Sequence, residues 1–316
     1  MSNGSRTRAL AVGFSLLAAF GWATYYLFVL WVSPGTSPSA IIVFPFAFGG
    51  IAYAGWAVYF GHAREFGAAW LEPGAYVRTA LLLGMQLSVL ASTYLTGPVD
   101  TSLLALIGDV VVTPIVAVWL VGHYRSKIGT PLFGLGLALS LAGGTMAILG
   151  GRGLAPVPDA GWAAVVAVPV TVAFFFVLSA RAGEHRASSA IVAQSMLAAT
   201  LVGVLLSPFL PGGFAGLVRV SPLPLAALVA TGVTSFFLAP LLYFHAIDRV
   251  GLALPPLLMT GIPVFTLLLS AAVLGLGLPL LAVLGVPVAA AGGIFAIRAY
   301  ASATAPVAPP PGSAEG

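Results

Sequence analysis

Long apolar runs separated by short polar breaks follow one another along the whole chain, and they limit what it can fold into. A helix needs about 20 apolar residues to cross the hydrocarbon core of a bilayer. The first run, Ala9–Val32, exceeds the about 7–15 apolar residues of a cleaved signal peptide, so it is predicted to be an uncleaved first span. The other predicted spans are Pro38–Phe60, Tyr76–Leu95, Thr101–Val121, Pro131–Leu149, Trp162–Ala182, Ser189–Leu210, Leu223–Ala246, Leu252–Leu274 and Pro279–Tyr300.

The composition agrees with this pattern. Hydrophobic residues make up 60% of the chain, charged residues only 6%, and the mean hydropathy is +1.09. A soluble domain carries about 25% charged residues. The chain is therefore predicted to be an all-α integral membrane protein with ten transmembrane helices, whose surroundings are the lipid bilayer. With no cysteine, disulfides and thiolate metal sites are excluded. A net charge of +4 gives no reason to expect nucleic acid as a partner.

The distribution of basic residues predicts the orientation. If the N-terminus is cytoplasmic, ten of the twelve Lys and Arg residues lie on the cytoplasmic side, and only Arg152 and Arg219 lie on the other. Short cytoplasmic loops carry such an excess. Both termini are thus predicted to be cytoplasmic in a multi-pass protein of the cell membrane. The Ala-, Pro- and Gly-rich segment 301–316 is predicted to be a disordered cytoplasmic tail.

The two halves of the chain resemble each other at an offset of about 150 residues. Ser39-Ala40-Ile41 recurs as Ser189-Ala190-Ile191. Six residues of the fifth span recur in the tenth, 149 positions later. They are Leu135, Gly136, Ala142, Gly143, Gly144 and Ala147, with Leu284, Gly285, Ala291, Gly292, Gly293 and Ala296.

This repeat predicts the domain organisation. Residues 1–155 form a first repeat of five helices and residues 156–300 a second. Because five is odd, the second repeat enters the membrane from the opposite side, which gives two inverted five-helix repeats. Inverted repeats are a recurring design of alternating-access transporters, which bind their solute near the midplane of the bilayer.

Several short motifs resemble the EamA-type permeases of the drug/metabolite transporter superfamily. They are Phe20-Gly21-Trp22, Gly261-Ile262-Pro263-Val264-Phe265, the corner Ala246–Gly251, and the glycine pairs Gly143-Gly144 and Gly292-Gly293. The resemblance implies export or exchange of small organic metabolites such as amino acids. It also implies a central cavity lined by spans one, three, four, six, eight and nine.

The chain departs from the family pattern at one feature. A Gly-Glu pair commonly ends the fourth and ninth spans in the family, but here Gly122 precedes His123 and Gly275 precedes Leu276. The glycine pairs leave two alternatives open, a homodimer interface and close helix packing within one chain.

Asp109 is the main candidate for a functional residue. At 1.5 Å per residue it is placed ~16–20 Å from either end of the fourth span, and a carboxylate there costs about 2.5–3.5 kcal/mol on insertion. Ser102 and Thr113 share its helical face, and Thr260 occupies its position in the second repeat. Asp109 is interpreted as a counter-charge for a cation or as a protonatable coupling group. The alternative is a structural carboxyl bonded to a neighbouring helix. Asp100, beside Pro98, is predicted to be a helix N-cap.

Further polar and aromatic residues fall at the same depth. Trp22 and Tyr25 could bind a cation or an apolar group through their ring faces, with core packing as the alternative. Tyr243 and His245 are predicted to anchor the end of the eighth span. The complete set predicted to bind or couple the solute is Asp109, Trp22, Tyr25, Gln86, Thr113, Thr171, Ser235 and Thr260.

These observations favour a secondary transporter over an enzyme. No Gly-rich phosphate loop with Lys is present, and no Lys or Arg is placed mid-membrane, so a neutral, zwitterionic or cationic small-molecule solute is expected. Prolines 114, 169, 240 and 263 are predicted to bend their spans. A membrane-embedded enzyme using Asp109, or a scaffold or receptor without transport, is the alternative. No catalytic residue, metal site or cofactor is predicted.

Overall fold

The computed structural model describes residues 3–121, 130–152, 159–183, 186–250, 258–275 and 277–302. Within these ranges the chain is helical and contains no strand, as expected for an all-α membrane protein. The helices are α1 (Asn3–Val32), α2 (Pro38–Tyr59), α3 (Ala63–Ala69), α4 (Pro73–Thr96), α5 (Pro98–Ile107), α6 (Thr113–Val121), α7 (Pro131–Arg152), α8 (Asp159–Gly183), α9 (Ser188–Leu206), α10 (Ala215–Val218), α11 (Pro222–Thr231), α12 (Ala239–Val250), α13 (Ile262–Leu274) and α14 (Leu280–Ser302).

Two π-helical segments interrupt this α-helical pattern. The first, π1 (Gly108–Val112), joins α5 to α6, and the second, π2 (Gly232–Leu238), joins α11 to α12. Neither segment ends the helix in which it lies. One continuous helical rod consists of α5, π1 and α6, and another consists of α11, π2 and α12.

Proline and glycine mark many helix boundaries. Proline is favoured at the first helical position because the missing N–H has no partner there anyway. Glycine ends a helix where the backbone needs positive φ: Gly97 has φ +98° after α4 and Gly275 has φ +61° after α13. The helices that begin at proline include α2, α4, α5 and α11.

Seven helices in the described part of the chain are long and apolar enough to cross a membrane. They begin at Ala9, Pro38, Pro73, Val166, Ser188, Pro222 and Leu280. The fourth, fifth and ninth predicted spans coincide instead with the shorter apolar stretches Pro98–Ile107, Pro131–Ala147 and Ile262–Leu274. The multi-pass membrane class is thus confirmed, while the count of ten spans stays a prediction.

The ninth predicted span is not one uninterrupted helix. Leu258 and Met259 are helical, Thr260 and Gly261 form a turn, and α13 starts at Ile262. Pro263 therefore lies in a first helical turn and does not bend a helix interior. Residues 251–257, the start of this predicted span, lie outside the described residues.

Other predicted boundaries also differ from the structure. The segment 150–161, between the fifth and sixth predicted spans, is helical at both its ends, because α7 runs to Arg152 and α8 begins at Asp159. Most of the predicted tail lies outside the described residues. Its first two residues, 301 and 302, complete the last turn of α14.

The closest helix contact joins α7 to α14 through glycines. A Cβ on Gly143 would lie 2.2 Å from the backbone nitrogen of Ala289, and one on Gly292 would lie 2.3 Å from that of Ser140. Real Cβ atoms do not approach so closely, and small residues are what allow backbones to meet in membranes. These glycines thus make a close contact within one chain, and the homodimer stays a prediction.

This contact has an internal symmetry. Gly136 faces Gly292 and Ala296, and Gly285 faces Gly143 and Ala147. Adding 149 to Gly136 gives Gly285, and subtracting 149 from Gly292 and Ala296 gives Gly143 and Ala147. The two helices therefore use the same surface to contact each other, as the two subunits of a symmetric dimer do.

We expect Gly143→Leu to separate α7 from α14 and to lower the thermal unfolding midpoint of the purified protein. Overpacking a close contact costs about 1–3 kcal/mol of stability, and a leucine at position 143 would collide with backbone atoms of α14. Gly134→Ala on the same helix is the matched control, because nothing lies within 4 Å of a Cβ at that position. An unchanged midpoint for Gly143→Leu would contradict the packing described here.

Candidate functional site

Asp109 lies in π1, the distorted part of its helix. The N–H of Thr113 bonds to the carbonyl of Gly108 five residues back, and the Thr113 hydroxyl donates to the same carbonyl at 2.8 Å. Pro114 has no N–H to continue the normal ladder, and a proline is a common cause of such a local change. π-Helical turns occur often at functional sites, so the distortion sets Asp109 apart from the other residues of its span.

The second distorted segment, π2, contains Ser235 and is followed by Pro240. Here the N–H of Ala239 bonds to the carbonyl of Thr234, again five residues back. The Ser235 hydroxyl donates to the Gly21 carbonyl in α1 at 2.7 Å, and the Thr24 hydroxyl donates to the same carbonyl at 2.7 Å. Ser235 thus attaches π2 to α1.

Both π segments lie against a helix of the opposite half. A Cβ on Gly108 in π1 would lie 2.8 Å from the Cα of Pro169 in α8. A Cβ on Gly21 in α1 would lie 3.2 Å from the Thr234 carbonyl oxygen in π2. Each irregular segment is therefore covered by protein, as irregular backbone at membrane depth has to be.

Asp109 and three aromatic side chains form one group, the acidic aromatic cluster. Asp109 is partly accessible and interacts electrostatically with the hydroxyls of Tyr26 and Tyr243. The Trp22 ring meets the Tyr243 ring edge to face at a centroid distance of 5.5 Å. The cluster brings together α1, π1 and α12. In the described part of the chain no basic side chain forms an ion pair with Asp109.

A second group consists of buried polar atoms without hydrogen-bond partners. Gln86 is 1% exposed and its Nε2 has no partner, and the same holds for the Oγ1 of Thr93 one heptad further along α4. The Gln86 side chain faces the Tyr25 hydroxyl, yet that hydroxyl has no completed hydrogen bond either. Such groups cost about 1–3 kcal/mol each when left unsatisfied, and binding of a polar solute by this row stays a prediction.

The other predicted residues have partners within the protein. Thr171 donates to the Ala167 carbonyl at 2.7 Å and contacts Ser88 of α4 at 3.4 Å. Thr260 is buried at the turn before α13. The structure therefore brings Asp109 and Trp22 into one cluster and Tyr25 and Gln86 into a second group. Thr171 and Ser235 contact neighbouring helices, whereas Thr113 bonds to Gly108 of its own rod. Their part in binding or coupling stays a prediction.

Two predictions about individual residues are corrected. Asp100 is not the N-cap of its helix: α5 begins at Pro98 with Gly97 as the cap, and Asp100 is buried in the first turn, where the helix dipole favours an acid. Tyr243 does not anchor the helix end, because its ring packs on Trp22 inside the bundle. The position of Tyr243, three residues after Pro240, is the sequence feature that could have indicated a place inside the bundle. His245 is exposed, and its role as an anchor of the helix end stays a prediction.

Charged residues connect the two halves at the end of the bundle that carries α3. The Glu65 carboxylate accepts the backbone N–H of Ala187, just before α9, and bonds to His62 at 3.1 Å. The hydrogen bond from Ala187 is the main reason why the pKa of Glu65 lies below its ordinary value. Nearby, Arg78 is 1% exposed and forms two hydrogen bonds to Glu72, at 3.0 and 3.1 Å.

Comparison with known proteins identifies the second half of the chain. Residues 160–298 match the model of the EamA-like transporter family, which belongs to the drug/metabolite transporter superfamily. Over these residues the resemblance noted in the sequence is confirmed. No curated protein matches the chain.

Twelve chains of solved structures match the fold. One crystal structure aligns with a TM-score of 0.66 at 20% identity, over 93% of this chain and 98% of its own. At this identity the likeness concerns the fold alone, and it extends beyond the residues that the family model matches.

We expect Gln86→Leu to leave the thermal unfolding midpoint unchanged or to raise it, because it removes a buried amide nitrogen that has no partner. The gain is at most about 1–3 kcal/mol. Gln194→Leu is the matched control: Gln194 is also buried, but its Oε1 accepts a hydrogen bond from Ser195, so its loss lowers the midpoint. A clear fall of the midpoint for Gln86→Leu would show that the amide is satisfied.

We also expect Glu65→Gln to lower the midpoint slightly at neutral pH, because an exposed charge contact contributes about 0.2–1 kcal/mol. The pKa of Glu65 is lowered in the folded protein. Its contribution is therefore complete above the ordinary value of 4.5 and lost as the pH falls below it. The difference from the wild type should disappear in acid. Arg64→Gln, a change at the exposed neighbouring residue, is the control. A constant difference for Glu65→Gln at every pH would refute this account.

Proposed function

We propose that this protein is a secondary transporter that moves small organic solutes carrying an amino group, such as amino acids or amines, across the cell membrane by alternating access. The acidic aromatic cluster is the observation that carries the proposal. A transporter without ATP chemistry needs a solute site near mid-depth that both sides can reach in turn. Asp109, Trp22 and Tyr243 supply such a site from three separate helices.

The chemistry of the cluster supports an amino group as its ligand. A carboxylate attracts an ammonium group, and aromatic rings attract cations through their faces with about 0.5–2 kcal/mol each. Basic side chains would repel such a solute. Arg78, the buried cation at the start of α4, is already paired with Glu72. A neutral or zwitterionic solute could use the unsatisfied amide of Gln86 in addition.

The helix contacts support two inverted repeats, residues 1–155 and 156–300, with ten spans in all. The contact between α7 and α14 is repeated at an offset of 149 residues, as expected if a two-fold axis in the membrane plane relates the halves. Thr260, 151 residues after Asp109, lies at the interruption before α13. Corresponding spans of both halves are thus irregular at corresponding positions.

The irregular segments support movement. A helix that is not continuously α-helical bends more easily than a regular one, and π1, π2 and the turn at Thr260–Gly261 all lie in spans expected to line the path. The distribution of Lys and Arg supports cytoplasmic termini. The solute would therefore enter the cluster from the end that carries α3 when the protein faces inward.

Transport by vesicles containing the purified protein tests this proposal. Uptake and efflux of labelled amino acids and amines should fall by about 10- to 100-fold in Asp109→Asn, because a hydrogen bond to a charged group contributes about 1.5–3 kcal/mol. Asp100→Asn is the matched control: it makes the same change in a buried acid of the same rod, but at its end, and should retain transport.

The outcomes separate the alternatives. Unchanged transport in Asp109→Asn would remove Asp109 from the mechanism. No movement of any solute by folded wild-type protein would favour a membrane-embedded enzyme or a scaffold. An enzyme of the two-acid type is disfavoured, because Asp109 has no acidic partner among the contacts of the described residues, and these residues include no metal-binding group of three ligands.

A further inference from the structure

A pocket of about 220 Å³ lies at the end of the bundle that carries α10, opposite the end that carries α3. It is formed between the start of α2, in the first half, and the region of α10, in the second. None of its lining residues is acidic. They are Gly35, Thr36, Ser37, Gly212, Ala215, Gly216, Arg219 and Val220.

The electrostatics of this pocket favour an anion. The 22-residue helix α2 begins there, and a helix N-terminus carries about half a positive charge. Arg219, the residue that follows α10, adds a full positive charge with donors arranged for a phosphate or carboxylate. Arg219 is exposed and its side chain forms no ion pair in the described part of the chain.

A buried hydroxyl gives the second, independent indication of a ligand. Thr36 is only 8% exposed, it lines the pocket, and its Oγ1 has no hydrogen-bond partner. By contrast, the hydroxyl of the adjacent Ser37 is used, because it accepts the N–H of Ala40 and bonds to Ser39. A hydroxyl that is withdrawn from water and left unbonded is suited to donate to a ligand oxygen.

The backbone around the pocket brings the two halves close together. A Cβ on Gly216 would lie 2.4 Å from the Ser37 Oγ, and Gly212 has φ +89° and also faces Ser37. The wall opposite α2 is therefore bare backbone. A ligand held here would contact both halves at once.

We propose that this pocket binds a phosphate-type oxyanion, either free phosphate or the headgroup of an anionic lipid. The Arg219 guanidinium and the Thr36 hydroxyl hold its oxygens in front of the N-terminus of α2. The bound anion fastens α10 to α2 and so stabilises the contact between the halves at this end. The site is separate from the acidic aromatic cluster and does not depend on the transport proposal.

Two arms identify the source of the anion. In the first, inorganic phosphate is titrated at constant ionic strength onto the delipidated full-length protein in a neutral detergent, and the thermal unfolding midpoint is measured. In the second, the protein is placed in nanodiscs of phosphatidylcholine with or without phosphatidylglycerol, and the same midpoint is measured. Stabilisation in the first arm identifies a free anion, and stabilisation in the second alone identifies a lipid headgroup.

Arg219→Gln and Thr36→Val should each reduce the apparent affinity by about tenfold or more. Neither side chain forms a hydrogen bond that the change would break, so the midpoints without ligand should match the wild type. Arg64→Gln, an exposed arginine at the opposite end, should keep the full effect. Absence of stabilisation in both arms, or stabilisation that persists in both variants, overturns the proposal.

Discussion

Every backbone N–H and C=O inside a bilayer must find a partner within the protein, because no water is available to replace a missing one. This requirement produces the long helices, and two of their distorted segments end two residues before a proline. Proline at positions 114 and 240 removes a donor from a helix interior. The chain responds by moving to five-residue hydrogen bonds in π1 and π2, and it covers each segment with a helix of the opposite half. The candidate site lies at these two interruptions of the regular α-helical hydrogen-bond pattern.

Because α7 and α14 contact each other symmetrically, the difference between the two halves at the position of Asp109 needs a reason other than the fold. Where two halves repeat the same packing, a difference between corresponding positions is not required by the fold. Asp109 has Thr260 as its counterpart, so only one half places a carboxylate at this depth. The aromatic residues around Asp109 come from α1 and α12, one from each half. A single acidic group shared between the halves can stay in contact with a solute while the halves move relative to each other.

The sequence predicts the helices well and the contacts poorly, for a physical reason. A bilayer imposes length and apolarity on each span locally, so a run such as Pro38–Phe60 identifies its own helix. Contacts depend on residues far apart in the chain. The pairing of Arg78 with Glu72, and the packing of Tyr243 on Trp22, follow only from the fold. Asp109 could be identified because the free-energy cost of a carboxylate in an apolar span depends on that span alone. Its aromatic neighbours come from other helices, so the sequence could not identify them as its partners.

The two ends of the bundle share an architecture but differ in chemistry. At each end a short helix packs against the start of a helix from the other half: Glu65 of α3 meets Ala187, and Gly216 of α10 meets Ser37. Gly216 lies 151 residues after Glu65, and Ala187 lies 150 residues after Ser37. One end is joined by a carboxylate accepting a backbone N–H. The other is joined by close contact of small groups, beside a pocket that favours an anion. Under the proposed alternating access both contacts would open in turn, and their different chemistry would let pH and salt affect one end more than the other.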